Sequence, residues 1–277
     1  MLNNTLEDLT LKELKDICQD FELPQYGSKT VVAKRIQSNL LYETTTFTKG
    51  KEEIKIKDYR FDFIFEKIKM EKDFYEHELL DKLKKVVQKN GVSIDVGGHV
   101  GNHTLYFLKI CKLQKGYVFE PRKVLANLLA ENIRMNNVHN KVVINKDGVS
   151  ALSSKPGMLK FEKRKNYNLG TGKLLNEPGD VKVSTLDDVF SDIEENVSML
   201  KVDVEGLERE VLKGGANLIE NHLPVISIES LVKSENQKDH DDAKEILLNL
   251  IGKHRYKLYF SYGALPGPYT YIFTPTL

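Results

Sequence analysis

The run Ile94-Asp95-Val96-Gly97-Gly98-His99-Val100-Gly101-Asn102-His103-Thr104 limits what this chain can fold into more than any other stretch. Val92 to Val96 has the length and apolarity of a short buried strand. Gly97, Gly98 and Gly101 make the turn that leaves it, and Asn102 to Lys112 reads as the helix that follows. A strand, glycine turn and helix in that order belong to an α/β architecture. The turn lets a ligand approach the backbone closely, and the new helix offers unpaired amides and its positive end to an anionic group.

The spacing selects among ligands. A dinucleotide turn has the rhythm G-x-G-x-x-G after its strand, whereas here Asp95 precedes glycines at 97, 98 and 101, which disfavours an NAD-dependent sugar-modifying enzyme. An acid inside the end of the strand repels a pyrophosphate but suits a cationic amine or sulfonium, as in S-adenosylmethionine. The next strand, Gly116 to Phe119, ends in Glu120, an acceptor for both ribose hydroxyls, and Pro121 closes it.

The chain continues with a helix over Lys123 to Met135 and a strand over Val142 to Asn145, completing an alternating half-sheet. Asp147 and Gly148 fall just past that third strand and are candidate adenine contacts. The expected cofactor-binding set is therefore Asp95, Gly97, Gly98, Gly101, Asn102, Thr104, Glu120, Pro121, Asp147 and Gly148, with Asp203 joining from the fourth strand. The polar loop NYNLGTG, between Gly157 and Val183, has the character of a substrate loop.

Ser198 to Val202 forms the fourth strand and delivers Asp203-Val204-Glu205-Gly206, followed by a helix over Leu207 to Leu212. Pro224 to Ile228 forms the fifth and ends in Glu229. A helix over Asp242 to Lys253 and strands over Lys257 to Phe260 and Tyr269 to Phe273 complete a doubly wound, mostly parallel seven-stranded sheet. Three of its strands bring acids to one edge, the expected active-site rim.

Upstream of the sheet, Thr10 and Glu13 form a capping box before Leu11, Leu14, Ile17 and Cys18, and Ser28 can cap a second helix bearing Val31, Val32, Ile36 and Leu40. The organisation expected is a helical hairpin over 1–42, a polar linker over 43–51 and the main domain over 52–277. A β-hairpin of Glu53–Lys57 and Tyr59–Phe65 and an amphipathic helix over Phe74–Val87 precede the core.

Composition bounds the partners. With 41 basic and 40 acidic residues the formal net charge is +1, so no global field holds a polyanion. Cys18 and Cys111 sit on apolar helix faces without metal spacing and read as reduced, buried thiols. With no apolar run long enough for a membrane span and no basic-apolar leader, a soluble cytoplasmic protein without a membrane partner is expected.

Taken together, FYEHELLDKL, IDVGGHVGNHTL, VFEP, VSTLDDV, LKVDVEGLEREVLKGGANLI and PVISIES resemble an FkbM-type methyltransferase over about Phe74 to Phe273. That family comprises S-adenosylmethionine-dependent O-methyltransferases of the class I, Rossmann-like fold. The resemblance implies cofactor binding by Asp95, Gly97, Gly101 and Glu120, with Lys201 to Gly206 bordering the transferred methyl. It also implies a sugar or glycan hydroxyl as acceptor. The family often carries alanine and asparagine where this chain has Gly98 and His99, and His99 is taken as a loop residue rather than a base. LTLKELKDICQDFELPQYGSKTVVAKRI resembles a SAP motif, which implies nucleic-acid or protein binding, although its basic residues are nearly offset by acids.

For methyl transfer to oxygen the catalytic candidates are Asp203 first, Glu229 second and Glu205 third, as carboxylates that can take the hydroxyl proton. Glu205 is equally suited to capping the next helix. A divalent ion on Asp203, Glu205 and Glu229 would be a further way to activate a hydroxyl, one that the sequence does not favour. A ribose 2'-O methyltransferase and a non-catalytic binding module stand as alternatives.

Overall fold

The sheet order follows from where the apolar runs lie. A computed structural model describes residues 6, 9–20, 23–39, 42–60, 62–149, 158–162, 173–178, 181–232, 237–263 and 267–276. Four strands are parallel: β3 (Val92–Val96), β4 (Lys115–Phe119), β5 (Val142–Asn145) and β10 (Val197–Val202). β11 (Val225–Val232) adds to β10 in parallel, and β13 (Gly267–Pro275) pairs antiparallel with both β11 and β12 (Tyr256–Gly263). The resulting order, β12-β13-β11-β10-β3-β4-β5, is the expected seven-stranded sheet, reversed only at β13.

β3 and β10 are the central strands, and each is buried along its whole length. Burial on both faces is why they read as continuous apolar runs rather than alternating ones. On one face, Leu105 and Leu108 of α5 (Asn102–Lys109) and Leu125, Leu129 and Ile133 of α6 (Lys123–Met135) pack with Met199 and Val118. On the other, Ile94, Val96, Leu200 and Val202 pack with Val211 and Leu212 of α8 (Glu208–Lys213) and with Leu247 and Ile251 of α10 (Gln237–Ile251). The alternation puts Asp95 and Lys201 together on the α5 face, since they are register partners in the β3/β10 pairing. A smaller sheet of order β6-β9-β7-β8 leaves the rim after β5 and comprises Gly148–Val149, Val181–Ser184, Met158–Glu162 and Lys173–Pro178. The loop NYNLGTG, at 166–172, lies outside the described residues.

The N-terminal helical hairpin is present as α1 (Leu11–Asp20) and α2 (Lys29–Asn39). The capping box at its start forms as expected: the Thr10 amide donates to Glu13 Oε2 at 2.7 Å, and the Glu13 amide donates to Thr10 Oγ1 at 3.2 Å. Leu14, Cys18, Val32 and Ile36 are fully buried, and they belong to the same apolar cluster as α5 and α6. Glu13 also pairs with Lys123 at the start of α6, at 2.8 Å. Arg35 donates to the carbonyls of Pro24 and Tyr26, closing the hairpin on itself.

Residues 43–51 are not a linker. Tyr42–Lys49 is strand β1, paired antiparallel with β2 (Glu52–Tyr59) about a turn in which Gly50 takes φ +64°. Its three consecutive threonines suit a pleated surface, and Thr45 and Phe47 alternate inward. The β-hairpin expected over 53–65 is thus shifted by about one strand. Tyr59–Phe65 does not form a strand, because Asp62 caps a helix instead. Its Oδ1 accepts from the amides of Ile64 and Phe65, starting α3 (Phe63–Glu71), which buries Phe65 and Ile68 three apart.

The outer edge of β2 is covered by side chains rather than a strand. Asn132 of α6 accepts from the Lys57 amide at 2.8 Å and donates to the carbonyls of Lys57 and Val100. One turn on, Asn136 repeats the exchange with the Lys55 backbone. Both thiols are reduced and buried as expected. No helix among the described residues is long and apolar enough to cross a membrane.

Because the hairpin helices share the main apolar cluster and β1 carries Phe47 edge-on against Phe74, deleting residues 1–48 should destabilise the chain rather than leave an intact domain. A fall in thermal midpoint of at least about 5 °C is expected by circular dichroism, since several buried side chains worth roughly 1.5 to 3 kcal/mol each are exposed. An unchanged midpoint would show that the hairpin folds independently.

Candidate functional site

The glycine turn is shaped by its protein neighbours. Gly97 adopts φ +86°, and a Cβ there would lie 1.8 Å from the Asp203 carbonyl oxygen. At Gly98 a Cβ would lie 2.1 Å from Val118 Cγ1. The crowding comes from β4 and the end of β10, so these glycines let strands and turn close on one another. Gly101, at φ +92°, stands at the N-cap of α5.

Asp95 does not face an open crevice. It is fully buried; its Oδ2 accepts from Thr104 Oγ1 at 2.6 Å and its Oδ1 lies 3.4 Å from Lys201 Nζ. Thr104 is equally buried, so both residues brace the turn from behind. Lys201 Nζ donates to the Gly97 carbonyl at 2.8 Å and lies 3.2 Å from Asp203 Oδ2. Burial would lower the Lys201 pKa, but the charges of Asp203 and Asp95 outweigh it and hold the ammonium well above its ordinary value. Lys201 therefore stays charged and ties the turn to the rim.

Asn102 is likewise engaged. Its amide exchanges both hydrogen bonds with the backbone of Tyr75, which fixes the segment entering α4 (His77–Val86) over the turn. Glu76, the residue before α4, is held at φ +58°, and its Oε2 lies 3.3 Å from His103 Nε2.

Glu120 fits its expected position. At 6% exposure it accepts from the His99 amide at 3.0 Å and from the Arg122 amide at 2.9 Å, one bond to each oxygen. Burial pushes its pKa up to about 7, against the pull of those amides and of Arg122. Pro121 follows directly, half-buried. Asp147 lies one corner away, where Lys182 takes its carboxylate at 2.8 Å, and Gly148 begins the smaller sheet. These two sit at the outer end of the rim, and their contact with adenine is an expectation of position alone.

At the rim proper, Asp203 is about one-third exposed and paired with Lys201. Glu229 has its pKa raised to about 9, chiefly by the charge of Asp203 and then by burial, with Glu76 and Glu205 adding to it. It therefore carries a proton at neutral pH. Glu205 takes φ +55° in the turn before α8, whose amides at Gly206 and Val204 are capped by Glu208 at 2.8 and 3.4 Å. Glu208 thus ties down the turn, while the N-cap residue of α8, Leu207, makes no side-chain cap. Among the described residues, the one triad whose ligand atoms all lie within 4.8 Å of one another is Asp58, Asp62 and His99. Asp203, Glu205 and Glu229 are not gathered in that way, so a metal on those acids finds no support.

Glu76, His103 and Glu208 were not among the sequence-derived site residues, and Lys201 was named only as the start of the stretch bordering the transferred methyl. A lysine inside the otherwise apolar run Val197–Val202 was the available signal, since a buried ammonium requires carboxylates beside it.

Residues 95–258 match the methyltransferase FkbM domain family. Methyltransferase 1 of Beauveria bassiana (strain ARSEF 2860) is 28% identical over 202 residues, covering 65% of this chain and 80% of that protein. Hexuronic acid methyltransferase AglP of Haloferax volcanii is 30% identical over 150 residues, covering 53% of this chain and 59% of that protein. Among solved structures, an FkbM methyltransferase from Methylobacillus flagellatus KT is 17% identical with a TM-score of 0.45, covering 66% of this chain and 43% of that one. The chain thus spans less than two thirds of AglP and of that structure. The family match begins at residue 95, beyond the hairpin, and lends no support to a SAP likeness there.

A carboxylate with a pKa of about 7 titrates in the working range. If Glu120 accepts from ribose hydroxyls, S-adenosylhomocysteine should bind more tightly as pH rises through about 7, where Glu120 ionises. Glu120→Gln should weaken binding by about 1.5 to 3 kcal/mol and flatten that dependence. Titration calorimetry on both proteins checks it, and an equal pH dependence in the variant would remove Glu120 as its source.

Proposed function

The chain belongs to the FkbM methyltransferase family, and on that premise we propose that this S-adenosylmethionine-dependent methyltransferase acts on a hydroxyl oxygen of a sugar or glycan. The observation that carries the reading is the placement at the rim of two carboxyl groups in unequal surroundings, Asp203 paired with the Lys201 ammonium and Glu229 with its pKa raised by the charge of Asp203 and by burial. A hydroxyl acceptor must both lose a proton and be oriented, and two acids in unequal surroundings suit those two needs. The likeness to a hexuronic acid methyltransferase supports a sugar as the class of acceptor.

The residues present fit the cofactor. Glu120 keeps unused lone pairs on both oxygens after its two backbone bonds, which suits a ribose diol. The positive-φ turn at Gly97 and Gly101 and the start of α5 border the same crevice. S-adenosylmethionine, when bound, supplies an electrophilic methyl group for in-line displacement. In this reading Asp95 and Thr104 hold the turn from behind rather than touching the cofactor.

Asp203 would take the proton of the acceptor hydroxyl, and Lys201 fixes the carboxylate for that role. Glu229, protonated, donates a hydrogen bond that orients the sugar. Glu205, in its left-handed turn, shapes the wall beside them. The hairpin of α1 and α2 is docked on the main apolar cluster, and Glu13 binds it to α6. It serves as part of the scaffold in this reading.

Incubation with radiolabelled S-adenosylmethionine and separate pools of glycans, RNA, DNA and small metabolites tests the acceptor class. Label is expected in the glycan or sugar pool; label in RNA alone would overturn the sugar reading. With the acceptor found, Asp203→Asn should lower turnover by about 10² to 10⁴ while S-adenosylhomocysteine affinity stays near normal. Glu229→Gln, which keeps a neutral donor, should lose less and should remove any rate change near pH 9. Loss of cofactor affinity in Asp203→Asn would place that residue in the cofactor shell instead.

A further inference from the structure

The strongest group of unused side chains lies where the β-hairpin meets the cofactor turn. Asp58 sits at the end of β2 and is fully buried; Asp62, 1% exposed, caps α3; and His99 lies in the glycine turn with φ +48°. One ligand atom from each falls within 4.8 Å of the other two. They come from two stretches of chain, 58–62 and the glycine turn, and α6 brings these together, because Asn132 binds the backbone of Lys57 and the carbonyl of Val100 at once. Those are the neighbours of Asp58 and His99 in sequence.

Several polar atoms at this point lack partners. Asp58 Oδ1 accepts from the Tyr59 amide, but Oδ2, itself buried, has no hydrogen bond among the described residues, and neither do Nδ1 and Nε2 of His99. Buried carboxylates and imidazoles are ordinarily paired, and such orphans mark a missing partner.

We propose that Asp58, Asp62 and His99 bind a divalent transition-metal ion, of the zinc or manganese class, beside the cofactor turn. Two carboxylate oxygens and one imidazole nitrogen are the donor set such ions take, and two negative charges match a dication. Magnesium and calcium prefer all-oxygen sites and suit it less well. Asp62 Oδ1 is already engaged by the amides of Ile64 and Phe65, which fixes the carboxylate in place as a supporting shell does in metal sites. The ion would pin His99, whose amide holds Glu120, and so would brace the turn. This site is separate from the rim acids, and its occupancy does not depend on the identity of the acceptor.

Calorimetric titration of the chelator-treated full chain with zinc and with manganese, in the absence of any substrate, tests the proposal. One equivalent is expected to bind, with magnesium binding far more weakly. His99→Gln and Asp58→Asn should each weaken the ion by at least about tenfold while the circular dichroism spectrum is retained. His139→Gln, outside the cluster, should leave it unchanged. Should His99→Gln fail to fold, Asp58→Asn decides, because it keeps the side-chain shape and removes a buried charge. No binding, or binding equal in wild type and Asp58→Asn, would overturn the proposal and leave a shared proton or Arg122 to balance the two aspartates.

Discussion

A single buried ammonium holds the site together. Lys201 lies between Asp95 and Asp203 and donates to the carbonyl of Gly97, so one side chain connects β3, the glycine turn and the end of β10. Removing an ammonium from water is expensive, and a core position tolerates it only with carboxylates in place. The chain meets that condition through strand register, because Asp95 and Lys201 are paired across β3 and β10 on the face covered by α5. The same bond helps to explain Gly97, whose lack of a Cβ lets Asp203 approach the turn.

The second constraint is the wall built around that clamp. Asn132 and Asn136, one turn apart on α6, substitute for a strand along β2, and Asn102 does the same for the backbone of Tyr75. An amide side chain can both donate and accept, so it can pair with a backbone edge that would otherwise be unsatisfied. These three asparagines connect the segments upstream of the sheet to the turn and to the helices beside it. Residues far apart in sequence, such as Asp58, Glu76 and His99, are brought near the turn through them. Chemistry at the rim then follows from unequal environments. Asp203 shares the Lys201 charge, whereas the charge of Asp203 and burial raise the pKa of Glu229.

Much of the sheet was legible because its strands are apolar runs ended by acids or glycines. Val92–Val96, Val142–Asn145 and the helix Lys123–Met135 fall at the limits their patterns imply. Local propensity failed where tertiary pairing decides. Glu43 to Lys51 is polar enough for a linker, yet its threonines and Phe47 become a strand once β2 lies beside them. Tyr59 to Phe65 alternates like a strand, but Tyr59 ends β2 and the Asp62 cap starts a helix at Phe63. At the site, glycine and acid positions were readable, whereas the direction of each side chain was not. Asp95, Asn102 and Thr104 lie at the turn as the motif requires and spend their polar atoms on the protein itself. Lys201 is inconspicuous within an apolar strand, and its importance emerges only from what lies on either side.

A double-mutant cycle on Asp95→Asn and Lys201→Met measures the clamp most directly. The chain has no tryptophan, so denaturant unfolding is followed by circular dichroism. Each single substitution leaves a charge or polar group without its partner and should destabilise by about 3 to 5 kcal/mol. The double variant should lose less than the sum by at least about 1 kcal/mol, the coupling expected for residues in one buried network. Strictly additive losses would show that Asp95 and Lys201 do not support one another, and the account of the site as a turn held by a shared buried charge would be wrong.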